Sequence, residues 1–310
     1  MIHVIVLGSA AGGGLPQWNC NCANCRAAWA EHPALRASQA SVAVSADGDN
    51  WFLINAAPDL RQQIIDNPRL HPKHGLRHSP IAGVVLTNGD VDAVAGLLHL
   101  RETWPFTIYG HDRILSVLRE NSIFNVLDPA FVKRQPVELE TAFELKLPDG
   151  EATGIEVVAF PVPGKVPLYL EDMSAADHGF GTEVGDTLGL HIRNRRNGAH
   201  FFYLAACADM TPALKERVAG APLVFFDGTL WRDDEMIEAG LGTKTGKRMG
   251  HISMSGDAGS IAAFRDLGVD RKVFLHINNS NPAHIPGSPE RATLERAGWT
   301  VPADGTEFVL

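Results

Sequence analysis

Three cysteines fall within six residues of this chain, Cys20, Cys22 and Cys25, in the segment WNCNCANC. Thiolates bind Zn²⁺ tightly in tetrahedral sets, and CxCxxC spacing lets one loop supply several ligands at little ordering cost. The spacing predicts a structural zinc knuckle over about residues 18–27, completed by a ligand from elsewhere in the chain. A redox Cys-x-x-Cys pair is the rival reading; Cys20 and the lack of a thioredoxin-like setting weigh against it. Cys207 stands alone in FFYLAACADM and reads as a small buried hydrophobe.

A second set of candidates sits at the ends of apolar runs. VVLTN leads into GDVDAVAGL, which places Asp90 and Asp92 just past a buried strand and at a helix start. Carboxylates there are common helix caps, favoured by free N–H groups and the helix dipole. Two further strand ends alter that reading. Asp209 follows FFYLAACA, and His276 closes KVFLHI. Three apolar runs that each end in a possible metal ligand point to a second metal centre.

The elements that must position these residues alternate in type. HVIVL, SVAVS, WFLIN and IAGVVLTN read as strands, with the turn DGDN at 47–50 making a hairpin of the second and third. PDLRQQIID, VDAVAGLLHLRE and HDRILSVLRE read as helices. FELKL, IEVVAF, DTLGLHI and AHFFYLA make the middle of the chain strand-rich. LVFFDGT and KVFLHIN are further strands; DAGSIAAFRDLG and SPERATLERAG are helices. The pattern predicts an α/β fold, a layered αββα sandwich forming a single domain over residues 1–310.

Composition excludes several classes. Hydrophobic content of 45% and charged content of 20% describe an ordinary globular protein. A formal charge of −9 argues against nucleic acid as a partner. No apolar stretch approaches the ~20 residues of a membrane span, and the N-terminal apolar run lacks a charged flank, so a soluble cytoplasmic protein is expected. GSAAGGG has neither the Gly-x-Gly-x-x-Gly spacing nor a following Lys-Ser/Thr, and no Gly-x-Ser-x-Gly occurs.

A strand followed by HxHxDH, then an isolated Asp, then a strand-end His, is the metal framework of the metallo-β-lactamase superfamily, and this chain resembles it with substitutions. Laid on that motif, TNGDVDA gives Asn88, Asp90, Asp92 and Ala93, so the motif's histidines are absent. The resemblance assigns Asp209 to the bridging aspartate, His276 to the last histidine, and His251 in GHISMSG to a catalytic histidine. GSAAGGGLPQWNCNC, LTNGDVDAVAGLLHLRE, PVPGKVPLYLE and LHINNSNP together resemble the coenzyme PQQ synthesis protein B family over essentially the whole chain.

That resemblance implies work on a Glu-Tyr unit derived from a peptide, with hydroxylation of the tyrosine ring by iron and O₂. A carrier for PQQ or its precursor and a metallohydrolase are the alternatives. It implies an active-site metal on Asp92, Asp209 and His276, with Asp90 as a further ligand or orienting group. Two carboxylates and one imidazole favour Fe²⁺ or Mn²⁺ over Zn²⁺. His251 is implied as acid/base and Lys165 as a contact to a substrate carboxylate. The offset of a related phosphodiesterase makes Asn279 the fourth zinc ligand, with His284 as the alternative. A homodimer is expected.

Overall fold

The computed structural model describes residues 1–310. Six strands of the first sheet come early: β1 (His3–Gly8), β2 (Ser41–Ser45), β3 (Trp51–Ile54), β4 (Ile81–Val85), β5 (Phe106–Gly110) and β6 (Val132–Pro136). The second sheet holds β7 (Ala142–Lys146), β8 (Ala152–Pro161), β9 (Leu188–Asn194), β10 (His200–Leu204), β11 (Val224–Asp227), β12 (Lys272–Leu275) and β13 (Trp299–Thr300). The last strand, β14 (Glu307–Val309), returns to the edge of the first sheet beside β1.

The two sheets share one plan. Sheet order is β14-β1-β2-β3-β4-β5-β6 and β13-β12-β11-β10-β9-β8-β7. In each, an antiparallel half joins a parallel half, the change falling after β3 in the first sheet and after β10 in the second. Parallel neighbours point their C-terminal ends the same way, so their loops gather on one edge, where open α/β sheets place their ligand sites.

Residue alternation explains the layering. In β11, Phe225 joins a 47-residue core that spans both sheets, while Phe226 faces a second cluster of 20 residues beneath the outer helices. Successive side chains on a strand leave opposite faces, so a sheet covered on both sides reads as a continuous apolar run. The helices Pro212–Val218 and Pro289–Arg296 close that second cluster through Leu214, Val218 and Leu294. Each begins with Pro behind a hydroxyl cap: Thr211 accepts from the Leu214 N–H, and Ser288 from the Arg291 N–H. On the other side, Leu60, Ile114 and Leu118 pack onto the core from the helices Leu60–Asp66 and Asp112–Glu120. The result is the αββα sandwich that the sequence predicts. No helix is long and apolar enough to cross a membrane.

Two expected helices are shorter than their sequence pattern. The segment after Asp90 is one α turn (Val91–Val94) followed by a 3₁₀ stretch (Ala95–Leu100). Gly96 lies in it because the chain passes close to the 56–57 backbone: a Cβ there would sit 2.1 Å from the Ala57 carbonyl oxygen. DAGSIAAFRDLG forms only Ser260–Ala263 as α-helix.

Candidate metal and catalytic site

The cysteine knuckle folds as one loop against a distant one. The ligand atoms of Cys20, Cys22 and Cys25 all lie within 4.8 Å of one another. Asn279 completes the group, its side-chain amide 3.2 Å from the Cys25 sulfur and 3.8 Å from that of Cys22. A half-turn of that amide presents its carbonyl oxygen instead, a choice set by what occupies the centre. His284 is elsewhere, buried with Nε2 3.2 Å from the Ile277 carbonyl oxygen. Asn24 stitches the two loops by donating to the carbonyls of Asn279 and Asn281 at 3.0 and 2.9 Å. Burial, followed by the neighbouring thiols, pushes Cys22 up to about 11, whereas hydrogen bonds from its neighbours outweigh burial and lower Cys20. Crowded thiols that cannot all ionise unaided suit a divalent cation, which would hold all three as thiolates. These residues fit zinc.

On the other side of the same loop, side chains from four segments form a relay. Asp227, at the end of β11, is completely buried. One of its oxygens accepts from the Thr229 N–H (2.9 Å) and Oγ1–H (2.7 Å), the other from the Cys207 N–H (2.8 Å) and from His251 Nδ1 (2.6 Å). Thr229 Oγ1, whose one proton goes to Asp227, can only accept from the ring of His276, whose Nδ1 is 2.8 Å away. His276 therefore donates from Nδ1 to Thr229 and from Nε2 to Asp92 Oδ2, 2.8 Å away, the second proton being the one a bound ion would displace, while His251 donates from Nδ1 and keeps Nε2 free. The two rings stack with centroids 5.0 Å apart. His276 reaches this place from a left-handed backbone, φ 56°, a strained conformation for a residue with a side chain and one that clusters at functional sites.

Charge agrees with the geometry. Burial alone would lower His276 and raise Asp92, but their mutual hydrogen bond and the surrounding charges reverse both: His276 is held above its ordinary pKa and Asp92 below. Asp90 is raised, by burial first and the charge of Asp92 second. The 2.8 Å between Asp92 and His276 is close to the ~3 Å edge between adjacent ligands of an octahedral ion with bonds of about 2.1 Å. Asp90 stands beside them, one oxygen accepting from the Leu168 N–H at 3.1 Å. Asp92 and His276 therefore fit two adjacent positions on a hard divalent cation, and Asp90 lines the same cavity. Asp227, although within ligand reach of both histidines, has its lone pairs filled by four donors and serves to orient them.

Asp209 is where the structure departs from the expectation. The chain after β10 turns outward, with the Ala208 N–H on the Pro163 carbonyl and the Cys207 thiol on the Asp209 carbonyl, leaving the Asp209 carboxylate exposed. The strand-end aspartate facing the histidines is Asp227, one strand over. LVFFDGT already ended in that Asp, but Asp209 matched the isolated-aspartate pattern first, and no local signal ranks one above the other. Thr229 escaped notice because a threonine in a turn is ordinary until its hydroxyl is seen between two rings.

Asp90, Asp92, Thr229, His251 and His276 line a cavity of about 780 Å³, together with Gly12, Lys165, Tyr169, Lys244 and Met249. Lys165 faces the cavity with its ammonium on Glu171, 2.7 Å away. Asn88 lines the wall, and Ala93 is buried in the core.

Comparison with known proteins decides the family. The Beta-lactamase superfamily domain matches residues 50–277. The chain is 60% identical to the coenzyme PQQ synthesis protein B of Bradyrhizobium diazoefficiens and 62% identical to that of Rhodopseudomonas palustris, each over all of both chains. The crystal structure of Zn²⁺-bound PqqB from Methylobacterium extorquens matches with a TM-score of 0.92 at 51% identity, over 99% of this chain and 100% of that one.

The chain belongs to the coenzyme PQQ synthesis protein B family of the metallo-β-lactamase superfamily.

A diphosphatase of the PhnP family, at 21% identity and a TM-score of 0.70 over 99% of this chain and 96% of that one, shares the fold. Within the superfamily's framework this chain is a departure: Asn88, Asp90 and Ala93 stand where histidines are expected. What remains is a carboxylate-rich position at Asp92 and His276, backed by the Asp227–His251 pair.

Proposed function

We propose that the chain acts in PQQ biosynthesis as a metal-dependent oxygenase that hydroxylates the tyrosine-derived ring of a Glu-Tyr precursor. The observation that supports it is the pairing, in one cavity, of the Asp92–His276 pair, with Asp90 in the same lining, and a carboxylate-oriented histidine whose Nε2 is free. Iron, when bound there, would supply O₂ activation. The net change is a ring C–H replaced by C–OH, with the second oxygen atom leaving as water on two electrons from an external reductant and two protons.

The chain's own residues do the rest. His251, held by Asp227 through Nδ1, offers Nε2 to the phenolic proton of the substrate and returns it as the ring regains aromaticity. Thr229 holds His276 in the tautomer whose Nε2 faces the ion. The cavity walls, apolar at Leu168, Met236 and Met249, seat an aromatic ring beside those groups.

The test is an anaerobic titration of zinc-loaded protein with Fe²⁺, followed by O₂, a reductant and a Glu-Tyr-derived substrate. One iron per chain and a product heavier by one oxygen, both lost in Asp92→Ala and His276→Ala, support the reading. Tight binding of PQQ with neither iron uptake nor turnover overturns it and leaves a carrier.

A further inference from the structure

The segment from Lys165 to Glu171 lines the cavity through Lys165, Leu168 and Tyr169, tied down by the Leu168 N–H on Asp90 and by the Tyr169 hydroxyl donating to the Gly89 carbonyl at 2.6 Å. At its end Glu171, with a side chain only 5% exposed, gathers three cations: Lys165 at 2.7 Å, Arg248 at 2.8 Å and Lys244 at 3.4 Å. The Arg248 hydrogen bond, then those of the lysines and their charges, hold Glu171 down at about 2 against the opposing effect of burial. One buried carboxylate thus stands against three cations, with Asp90 acting on Lys165 as well, in a chain whose formal charge is −9.

The three cations are placed differently. Arg248 takes no part in lining the cavity, and its guanidinium lies over the Phe180 ring. Lys165 and Lys244 both line the cavity, with side chains 17% and 37% exposed. A lysine ammonium carries three donors, so each can keep Glu171 and still take another carboxylate. In the ion-free protein Asp90 and Asp92 of the same lining repel anions, so a ring bearing carboxylates on one side would turn that side to the lysines and its unsubstituted edge to the aspartates.

We infer that Lys165 and Lys244, positioned by Glu171 and braced by Arg248, form a carboxylate-recognition pair that selects and orients an aromatic polycarboxylate. The inference takes the cavity as the substrate site from the reading above but depends on neither iron nor oxygen.

Benzene-1,3,5-tricarboxylate and the neutral benzene-1,3,5-tricarboxamide are the probes, titrated calorimetrically into zinc-loaded, iron-free protein. The tricarboxylate binds and weakens with added salt; the tricarboxamide does not bind. Lys244→Gln, whose contact to Glu171 is the longest of the three, weakens binding roughly tenfold, as does Lys165→Gln, a size set by charged hydrogen bonds at a partly buried site. Lys73→Gln, the same charge change at an exposed pair with Asp49, leaves the Kd unchanged. Melting curves confirm that each variant is folded. Equal affinity for the amide, no tricarboxylate binding, or a Lys244→Gln effect matching that of Lys73→Gln overturns the inference. Carboxylate binding that persists in a protein without hydroxylase activity sinks the hydroxylation while leaving this recognition intact.

Discussion

Replacing Thr229 by valine keeps the side chain's shape and removes one oxygen, and that oxygen holds the relay together. The hydroxyl is nearly buried, 5% exposed for the residue, and sits 2.7 Å from Asp227 and 2.8 Å from His276. Without it the His276 Nδ1–H loses its acceptor, and one Asp227 oxygen falls from two donors to one. Each buried polar group left short costs about 1–3 kcal/mol, so the metal-free protein should lose about 2–4 kcal/mol. His276 would also lose the acceptor that keeps a proton on Nδ1, and so could retain its proton on Nε2, the atom that must be bare to bind an ion. Loss of such an orienting partner weakens metal binding about 10–100-fold. The assay is an anaerobic competition between the protein and a coloured Fe²⁺ chelator, with bound zinc counted in parallel and melting followed with and without iron. Thr229→Val should show the weaker iron affinity with the zinc count unchanged, and Thr229→Ser should recover most of it. Iron affinity in Thr229→Val within about twofold of the parent would refute the claim that Thr229 sets the tautomer.

Asp227→Asn puts an amide N–H₂ against donors that the carboxylate now satisfies; it should destabilise the fold by about 3 kcal/mol in a denaturant titration and cut turnover at least about 100-fold. Asn279→Ala should lower zinc retention against a chelator and lower the melting temperature, whereas His284→Asn should leave the zinc count unchanged. Glu171 has a folded pKa of about 2 against an ordinary 4.5, so its stabilisation is complete above pH 4.5 and disappears as the pH falls toward 2. Glu171→Gln should therefore melt lower than the parent at pH 7, with the gap closing across that window. His191 is pulled to about 4 from 6.5, by burial first and then by the charges of His200, Arg193 and Arg217. The unfolded chain takes up that proton first, so the parent should lose stability as the pH falls from 6.5 to 4. His191→Phe, which keeps the stacking on Phe202, should flatten that slope.

The layers were legible because strands buried on both faces write themselves as apolar runs, and KVFL and VFFD are such runs. Two edge strands were not, although the edge strand β7 was read in FELKL: β6 (VKRQP) is polar at most positions and β13 has two residues, so neither carries a periodic signal. The knuckle was readable because its three sulfurs are neighbours in sequence. The relay was not, because Asp92, Asp227, Thr229, His251 and His276 come from four segments whose meeting depends on how the parallel strands align their ends. Asp209 and Asp227 show the difficulty: both follow apolar strands, and only the outward turn after Cys207 separates them. The cavity-lining segment after Lys165, largely 3₁₀ and irregular, had no period to read, yet it carries Tyr169 and Glu171.

Asn279 and His276 lie three residues apart on one short loop, and Asn24 clasps that loop from the knuckle side. Whatever strips zinc from the cysteines will slacken the backbone that aims His276, even if the chelator never enters the cavity. If the proposed iron-dependent activity holds, inactivation by a strong chelator would be a two-site event, and restoring activity should require zinc before iron, so that order of addition becomes an experimental variable in its own right.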